Sequence, residues 1–120
     1  MGELTKRHKL LTFDELMAEV VDEILKLTFT ERYAYFVWTY LETAASIERL
    51  EIARKPEAFS TCLKNLFGSA AETLERLILK RLCQILNVKF KEGYKFADYI
   101  EELRKIYVKL ELERYKRYVK

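Results

Sequence analysis

Proline and glycine are almost absent from this chain. One proline and three glycines occur in 120 residues, so there are few positions at which a helix is forced to stop. Apolar residues recur at i, i+3, i+4 and i+7 through most of the chain, which is the spacing of an amphipathic helix. Half of the residues are hydrophobic, enough for a single core in a domain of this length. The sequence therefore predicts an all-α fold: a compact bundle of four main helices plus a long basic C-terminal helix.

The first three predicted helices have recognisable start signals. Thr12 and Glu15 form a capping box in front of a first helix. A second helix is expected after Thr30 and runs to about Ser46. Its apolar residues cover nearly the whole circumference, which places it at the centre of the bundle or in an oligomer interface. Pro56 suits the first turn of a third helix, where its missing N–H costs nothing.

The stretch FGSAAETLE, residues 67–75, joins the third and fourth predicted helices. A glycine before a helix N-terminus can form a phosphate-binding turn, but the second glycine and the lysine of a P-loop are missing. We interpret the stretch as a joint. Gly68 ends the third helix in a left-handed conformation, and Ser69 with Glu72 forms a second capping box for a helix from about Ala70 to Leu86. With no cofactor motif present, no cofactor is predicted.

The C-terminal segment from Phe96 reads as one helix of ~24 residues, ~36 Å long, which is more than a compact domain of this size needs. We expect its end to project or to meet a partner. From Arg104 to Lys120 there are seven basic residues against Glu111 and Glu113, a net charge of +5, whereas the whole chain carries +3. The candidate interaction surface on this helix comprises Arg104, Lys105, Lys109, Arg114, Lys116 and Arg117.

The basic residues are separated from the acidic ones along the chain. Residues 1–11 form a predicted flexible basic N-terminus, followed by a single helical domain over residues 12–120, whose first helix from Thr12 to Leu27 has a net charge of −4. Basic surfaces of this kind can bind nucleic acid, which predicts that the charges from Arg104 to Lys120 face outward together. A basic helix can equally lie against an acidic one, within a monomer or across a dimer. We favour the second interpretation.

The chain offers no recognisable catalytic set. His8 is the only histidine and lies in the N-terminal segment, which argues against histidine-based acid–base or nucleophilic catalysis. Glu15, Glu19 and Asp22 share a helix face that could bind magnesium, as in helical pyrophosphohydrolases. No second acidic helix of matching spacing accompanies them, so we interpret them as a solvated face. We predict that the protein is not an enzyme and has no metal site.

Compartment and cysteine chemistry follow from simple patterns. No apolar run approaches the ~20 residues of a membrane span, and the N-terminus lacks the apolar region of a secretory signal. We therefore expect a cytoplasmic protein without membrane contact. The many charged residues and few amides are typical of thermophiles, some of which use disulfides inside cells. Cys62 and Cys83 lie ~9 Å before and ~22 Å after the Gly68 hinge, which favours two buried, free thiols.

Part of the chain resembles a known family. The segment PEAFSTCLKNLFGSAAETLERLILKRL, followed by GYKFADYIEELRK, is similar to the Nitrosopumilus output domain, a small helical domain found in archaea alone or at the end of signalling proteins. The resemblance covers about residues 31–105; the first helix and the basic C-terminal extension depart from it. The positions that carry it are Phe59, Leu63, Phe67, Gly68, Glu72, Glu75, Phe96, Asp98, Tyr99 and Ile100.

The resemblance implies a function as well as a fold. It implies a non-enzymatic regulatory or protein-interaction module and brings no catalytic residues with it. Combined with the apolar second helix and the long C-terminal helix, it leads us to expect self-association through aromatic or C-terminal helix surfaces. The expected partner is a second copy or another protein, with nucleic acid as the alternative.

Overall fold

The structure is a computed structural model that describes residues 11–118. The basic patch of residues 1–10, including His8, lies outside the described residues. Within them the chain forms five α-helices and one short 3₁₀ helix, which confirms the predicted all-α bundle with a long C-terminal helix. The elements are α1 (Phe13–Thr28), α2 (Glu31–Ala44), the 3₁₀ helix (Arg49–Glu51), α3 (Pro56–Phe67), α4 (Ala70–Leu86) and α5 (Phe96–Tyr118).

The start of α1 is held by the predicted capping box. The Thr12 hydroxyl accepts a hydrogen bond from the Glu15 backbone N–H at 3.1 Å, and the Glu15 carboxylate accepts one from the Thr12 backbone N–H at 2.9 Å. Two of the N–H groups that a helix start leaves unpaired are thereby satisfied. The prediction for Thr12 and Glu15 is confirmed.

The joint between α3 and α4 is present, but the capping box predicted there is wrong. Gly68 has φ 58° and ψ −130°, and Ser69 has φ −64° and ψ −23°, close to the central pair of a type II′ turn. A capping serine needs extended backbone to reach the third helical N–H. Ser69 instead has helical backbone and makes no capping hydrogen bond, so Glu72 has no box to complete. The glycine alone makes the turn.

The centre of the bundle is α4, not α2. Helix α4 packs against α1, α3 and α5, whereas α2 packs mainly on α1. The reason is the width of the buried face. Nine residues of α4 are buried, distributed over two sides of the helix. Only one narrow stripe of α2 is buried, at Ala34, Val37, Trp38 and Leu41.

Helical spacing alone would also assign several exposed apolar residues of α2 and α4 to the inner faces of these helices. On α2, Tyr33, Phe36 and Ala44 face solvent rather than the core, and on α4 Leu77 is 39% exposed. These assignments followed from helical spacing, which locates an apolar stripe but not its width. The prediction that α2 occupies the centre of the bundle is wrong. Its alternative, an oligomer interface, stays a prediction.

Helix α5 changes character along its length. Its N-terminal half is buried through Phe96, Tyr99, Ile100, Leu103 and Tyr107, and the Tyr107 hydroxyl donates a hydrogen bond to the Leu11 carbonyl. Between Val108 and Arg117 no side chain is buried. The described chain measures 48 × 28 × 23 Å. The end of α5 therefore leaves the core, as its length predicted.

Candidate interaction surfaces

The outward side of α2 carries large apolar side chains. We name it the α2 face and define it as Arg32, Tyr35, Phe36, Thr39, Glu42 and Thr43, all of which are exposed. Tyr35 is 71% exposed and Phe36 51%. Next to this face, at the end of α1, Leu27 is 78% exposed. Clusters of exposed apolar side chains on a protein surface commonly mark interaction sites.

The orientation of α2 is set by hydrogen bonds at its start and on its inner side. The Thr30 hydroxyl accepts from the Tyr33 backbone N–H at 3.1 Å and caps the helix. On the inner side, the Trp38 indole N–H donates to Asp22 at 2.9 Å, and the Arg49 guanidinium lies 4.3 Å from the Trp38 ring centroid. Trp38 is thereby fastened to α1, while Tyr35 and Phe36 remain exposed.

A cluster of aromatic rings supports one border of the α2 face. Phe29 and Phe67 are stacked, with centroids 5.2 Å apart and planes inclined by 7°. Tyr33 lies 5.0 Å from Phe29, 6.0 Å from Phe67 and 5.6 Å from Phe36, measured between ring centroids. Contacts of this kind hold rings in fixed positions. Phe36 is therefore supported by packed rings although its own outer side is open.

The threonines of the α2 face have already used their hydroxyl protons. Thr39 donates to the Tyr35 carbonyl at 3.0 Å, and Thr43 donates to the Thr39 carbonyl at 2.8 Å. Neither hydroxyl needs an outside acceptor for its proton. What these two residues can offer a partner is a small side chain with a methyl group.

The six basic residues predicted as an interaction surface differ in exposure. The Arg104 guanidinium lies 3.2 Å from Asp14 and 5.2 Å from the Phe13 ring centroid, so it fastens α5 to the acidic α1. Arg114 is half-buried. Four remain on the exposed surface: Lys105, Lys109, Lys116 and Arg117. The Arg104–Asp14 contact is a pairing of the basic and acidic helices within one monomer, one of the two forms that we had favoured.

An apolar stripe accompanies these exposed cations. Val108, Leu112 and Tyr115 are 45–64% exposed and follow one another at spacings of four and three. They make a second candidate surface on the part of α5 that has left the core.

The acidic face of α1 is engaged in pairing within the protein. Asp22 binds Lys26 at 2.8 Å, and Glu23 binds Arg81 at 2.8 Å. Burial alone would raise the pKa of Asp22, but the hydrogen bonds from Lys26 and Trp38 and the nearby positive charges outweigh it, so the pKa lies below its usual value. Within residues 11–118 no group of three or more His, Cys, Asp or Glu side chains is arranged to hold a metal ion.

One buried charge escaped the sequence analysis. Glu75 is the buried charged residue of the core and accepts a hydrogen bond from the Ser60 hydroxyl across the α3–α4 hairpin. It borders an open cleft of about 1020 Å³ that residues 90–99 also line. The signal was present, because Glu75 occupies a position between Ala71, Leu74 and Ile78 on the buried side of α4.

Both cysteines are buried and free, as expected. Burial raises the pKa of the Cys62 thiol, and it also raises that of Cys83, although a hydrogen bond with Tyr99 acts in the opposite direction. The Tyr99 hydroxyl lies 3.5 Å from the Cys83 sulfur and accepts from the Lys91 backbone N–H at 2.8 Å. Because the reactive species is the thiolate, these environments disfavour nucleophilic chemistry.

Each helix between residues 11 and 118 is too short or too polar to span a bilayer. Comparisons of the sequence and the structure with models of known protein families, with curated proteins and with solved structures find no match. The resemblance to the Nitrosopumilus output domain therefore stays a prediction, and the two exposed surfaces are the features from which a function is argued.

Proposed function

We propose that this protein is a non-enzymatic regulatory or protein-interaction module that self-associates. The observation that carries the proposal is the α2 face: Tyr35 and Phe36 stand largely in solvent beside a core that is complete without them. Burying such side chains against a partner is favourable by about 25 cal/mol per Å² of apolar area. The same role is what the resemblance to an archaeal output domain implies.

Several carboxylates and both thiols are engaged in contacts within the fold, which is consistent with a non-enzymatic role in self-association. The Asp22 and Glu23 carboxylates are held by cations of the same chain, Glu75 is bound by Ser60, and both thiols are protonated at neutral pH because burial raises their pKa. A catalytic acid, base or nucleophile has to be available to a substrate. These groups are engaged in holding the bundle together.

The test is the oligomeric state as a function of concentration. Sedimentation equilibrium of the full chain from micromolar to millimolar concentration is expected to show a reversible change from monomer to dimer. Tyr35→Ala should shift this change to higher concentration. Leu77→Ala, which alters an exposed apolar residue on α4, is the matched control and should leave it unchanged. A monomer at every concentration would contradict self-association.

Nucleic-acid binding is the second candidate, because Lys105, Lys109, Lys116 and Arg117 are exposed on α5. It predicts binding to generic duplex DNA that weakens steeply between about 50 and about 200 mM salt, since phosphate contacts release counterions. Fluorescence anisotropy measures this affinity. The double variant K109E/K116E should abolish it, whereas Lys64→Glu, an exposed lysine on α3, serves as the control. No binding at the lower salt concentration would remove this candidate.

A further inference from the structure

Four exposed residues on α2 follow the spacing of a helix–helix contact. Arg32, Tyr35, Thr39 and Glu42 are separated by three, four and three residues, so they form one line along the outward side of the helix. Alternation of three and four is the spacing by which a helix packs against a second helix. The buried line of the same helix, from Ala34 to Leu41, lies on the opposite side. We name the four outward residues the α2 seam.

The two charged residues of the seam, Arg32 and Glu42, lie at its two ends. Within residues 11–118, neither Arg32 nor Glu42 takes part in an ion pair. They are ten residues apart, which is ~15 Å along the helix. A parallel partner helix with the same sequence would oppose arginine to arginine and glutamate to glutamate. An antiparallel partner opposes Arg32 to Glu42 at both ends.

The shapes of the two halves match in the same register. When Arg32 of one copy lies level with Glu42 of the second copy, Tyr35 lies level with Thr39. Tyr35 and Phe36 then lie over the part of the other helix around Thr39, whereas Thr43 lies level with Glu31 beyond the end of the seam. Because the Thr39 proton is already donated to a backbone carbonyl, the rings meet a small side chain whose polar proton is satisfied.

We infer that α2 pairs antiparallel with α2 of a second copy of this chain, with Arg32–Glu42 ion pairs at both ends of the seam. The inference rests on the proposed self-association and names its surface and geometry. The interface is isologous, since each residue pair occurs twice about a two-fold axis. A two-helix contact of this length buries on the order of 1,000 Å², at the lower limit of specific interfaces. The dimer is therefore reversible.

Charge exchange at the seam tests the geometry. Arg32→Glu alone and Glu42→Arg alone each place like charges at both ends of the antiparallel pair. Each variant is expected to weaken homodimerisation about tenfold or more in sedimentation equilibrium, since like-charge juxtaposition is strongly unfavourable. Mixing the two variants restores opposite charges at both ends, so a heterodimer should form with wild-type affinity. The double variant R32E/E42R in one chain should likewise dimerise as the wild type does.

The controls separate this inference from the proposed function. Arg32 and Glu42 are exposed and make no ion pair among residues 11–118, so the thermal unfolding of the variants should match that of the wild type. Leu112→Ser tests the alternative surface on α5. A wild-type dimer unaffected by Arg32→Glu and Glu42→Arg overturns the α2 pairing but leaves self-association standing, and loss of that dimer in Leu112→Ser would place it on α5. Weakened single variants that do not rescue each other overturn the antiparallel register. A wild type that is monomeric throughout overturns both proposals.

Discussion

Helices α2 and α4 are both amphipathic, yet they occupy opposite situations in the molecule. Helix α4 buries nine residues and touches three other α-helices, whereas α2 buries four and packs mainly on α1. The aromatic residues of α2 make it look the more hydrophobic in the sequence. A helix lies at the centre of the bundle when aliphatic residues on several of its sides can pack against neighbouring helices. The large rings on the outward side of α2 are the basis of the self-association proposed above.

The two helices also begin differently. Helix α2 has a side-chain cap at Thr30, whereas α4 starts from the turn at Gly68 with no cap from Ser69. A peripheral helix, held on one side only, depends more on its local signals than a helix surrounded by packing. The following predictions test this difference between a helix surrounded by the core and a helix held on one side and by local contacts.

The largest effect is expected in the core around α4. Leu82 is fully buried, so Leu82→Ala should lower the free energy of unfolding by ~2–5 kcal/mol. Tyr35→Ala on the α2 face should change it by less than ~0.5 kcal/mol while weakening dimerisation. Urea unfolding at a concentration that keeps the chain monomeric measures both. Equal losses in the two variants would show that the α2 face is part of the monomer's core.

The turn that starts α4 should be the next most sensitive point. Gly68 has φ 58° and ψ −130°, and nothing lies within 4 Å of the position that a Cβ would take. The cost of a substitution is then backbone strain of ~1–3 kcal/mol. Gly68→Ala and Gly68→Val should therefore cost nearly the same free energy of unfolding. Unchanged thermal stability in both variants would contradict the assigned turn.

The two helix starts can be compared directly. Thr30→Ala removes the cap of α2 and should cost ~1 kcal/mol, since the Tyr33 N–H loses its acceptor. Ser69→Ala at the start of α4 should cost less than ~0.5 kcal/mol, because Ser69 makes no capping hydrogen bond. Thermal unfolding of the two variants measures both losses of stability. A larger loss for Ser69→Ala would restore the capping box that the sequence suggested.

The smallest effect concerns the tie between α2 and α1 at Asp22. The folded state lowers the pKa of Asp22, so its charge stabilises the fold above the unfolded-state pKa of ~3.9, and this contribution disappears as the pH falls through the lower folded-state pKa. Asp22→Asn still accepts from Trp38 but has no charge. It should be less stable than the wild type by ~1 kcal/mol or less at neutral pH, and the difference should shrink below about pH 4.

The control for this pH dependence is Glu113→Gln, which removes an exposed carboxylate from the outer half of α5. Its stability relative to the wild type should show no comparable trend between neutral and acid pH. A constant difference between Asp22→Asn and the wild type over the same range would show that the charge of Asp22 does not act on folding.

The sequence predicted the helices closely because their boundaries depend on local signals. Thr12 and Glu15, Pro56 and Gly68 each act through their own backbone neighbourhood, and the structure places helix ends at all of them. Ser69 failed for a related reason: its identity suits a cap, but the glycine before it imposes helical backbone on it. The preference of serine for capping positions does not reveal the φ and ψ that Ser69 adopts in the turn after Gly68.

The candidate surfaces were only partly accessible from the sequence. The charge excess near the C-terminus was visible, but only the folded chain shows that Arg104 is engaged by Asp14 while Lys109 and Lys116 remain exposed. The α2 seam could have been found, since the spacing of Arg32, Tyr35, Thr39 and Glu42 is written in the sequence. It was obscured because the buried stripe of the same helix has the same period.

By itself, the sequence determined that this chain is a set of helices with defined ends, because periodicity, capping and glycine placement act within a few residues of one another. The tertiary structure alone decided that α4 is central and α2 peripheral, that Glu75 is buried against Ser60, and that Tyr35 and Phe36 face solvent. Those outcomes depend on how the apolar faces of all five helices pack against one another. Sequence patterns within one helix do not contain this information.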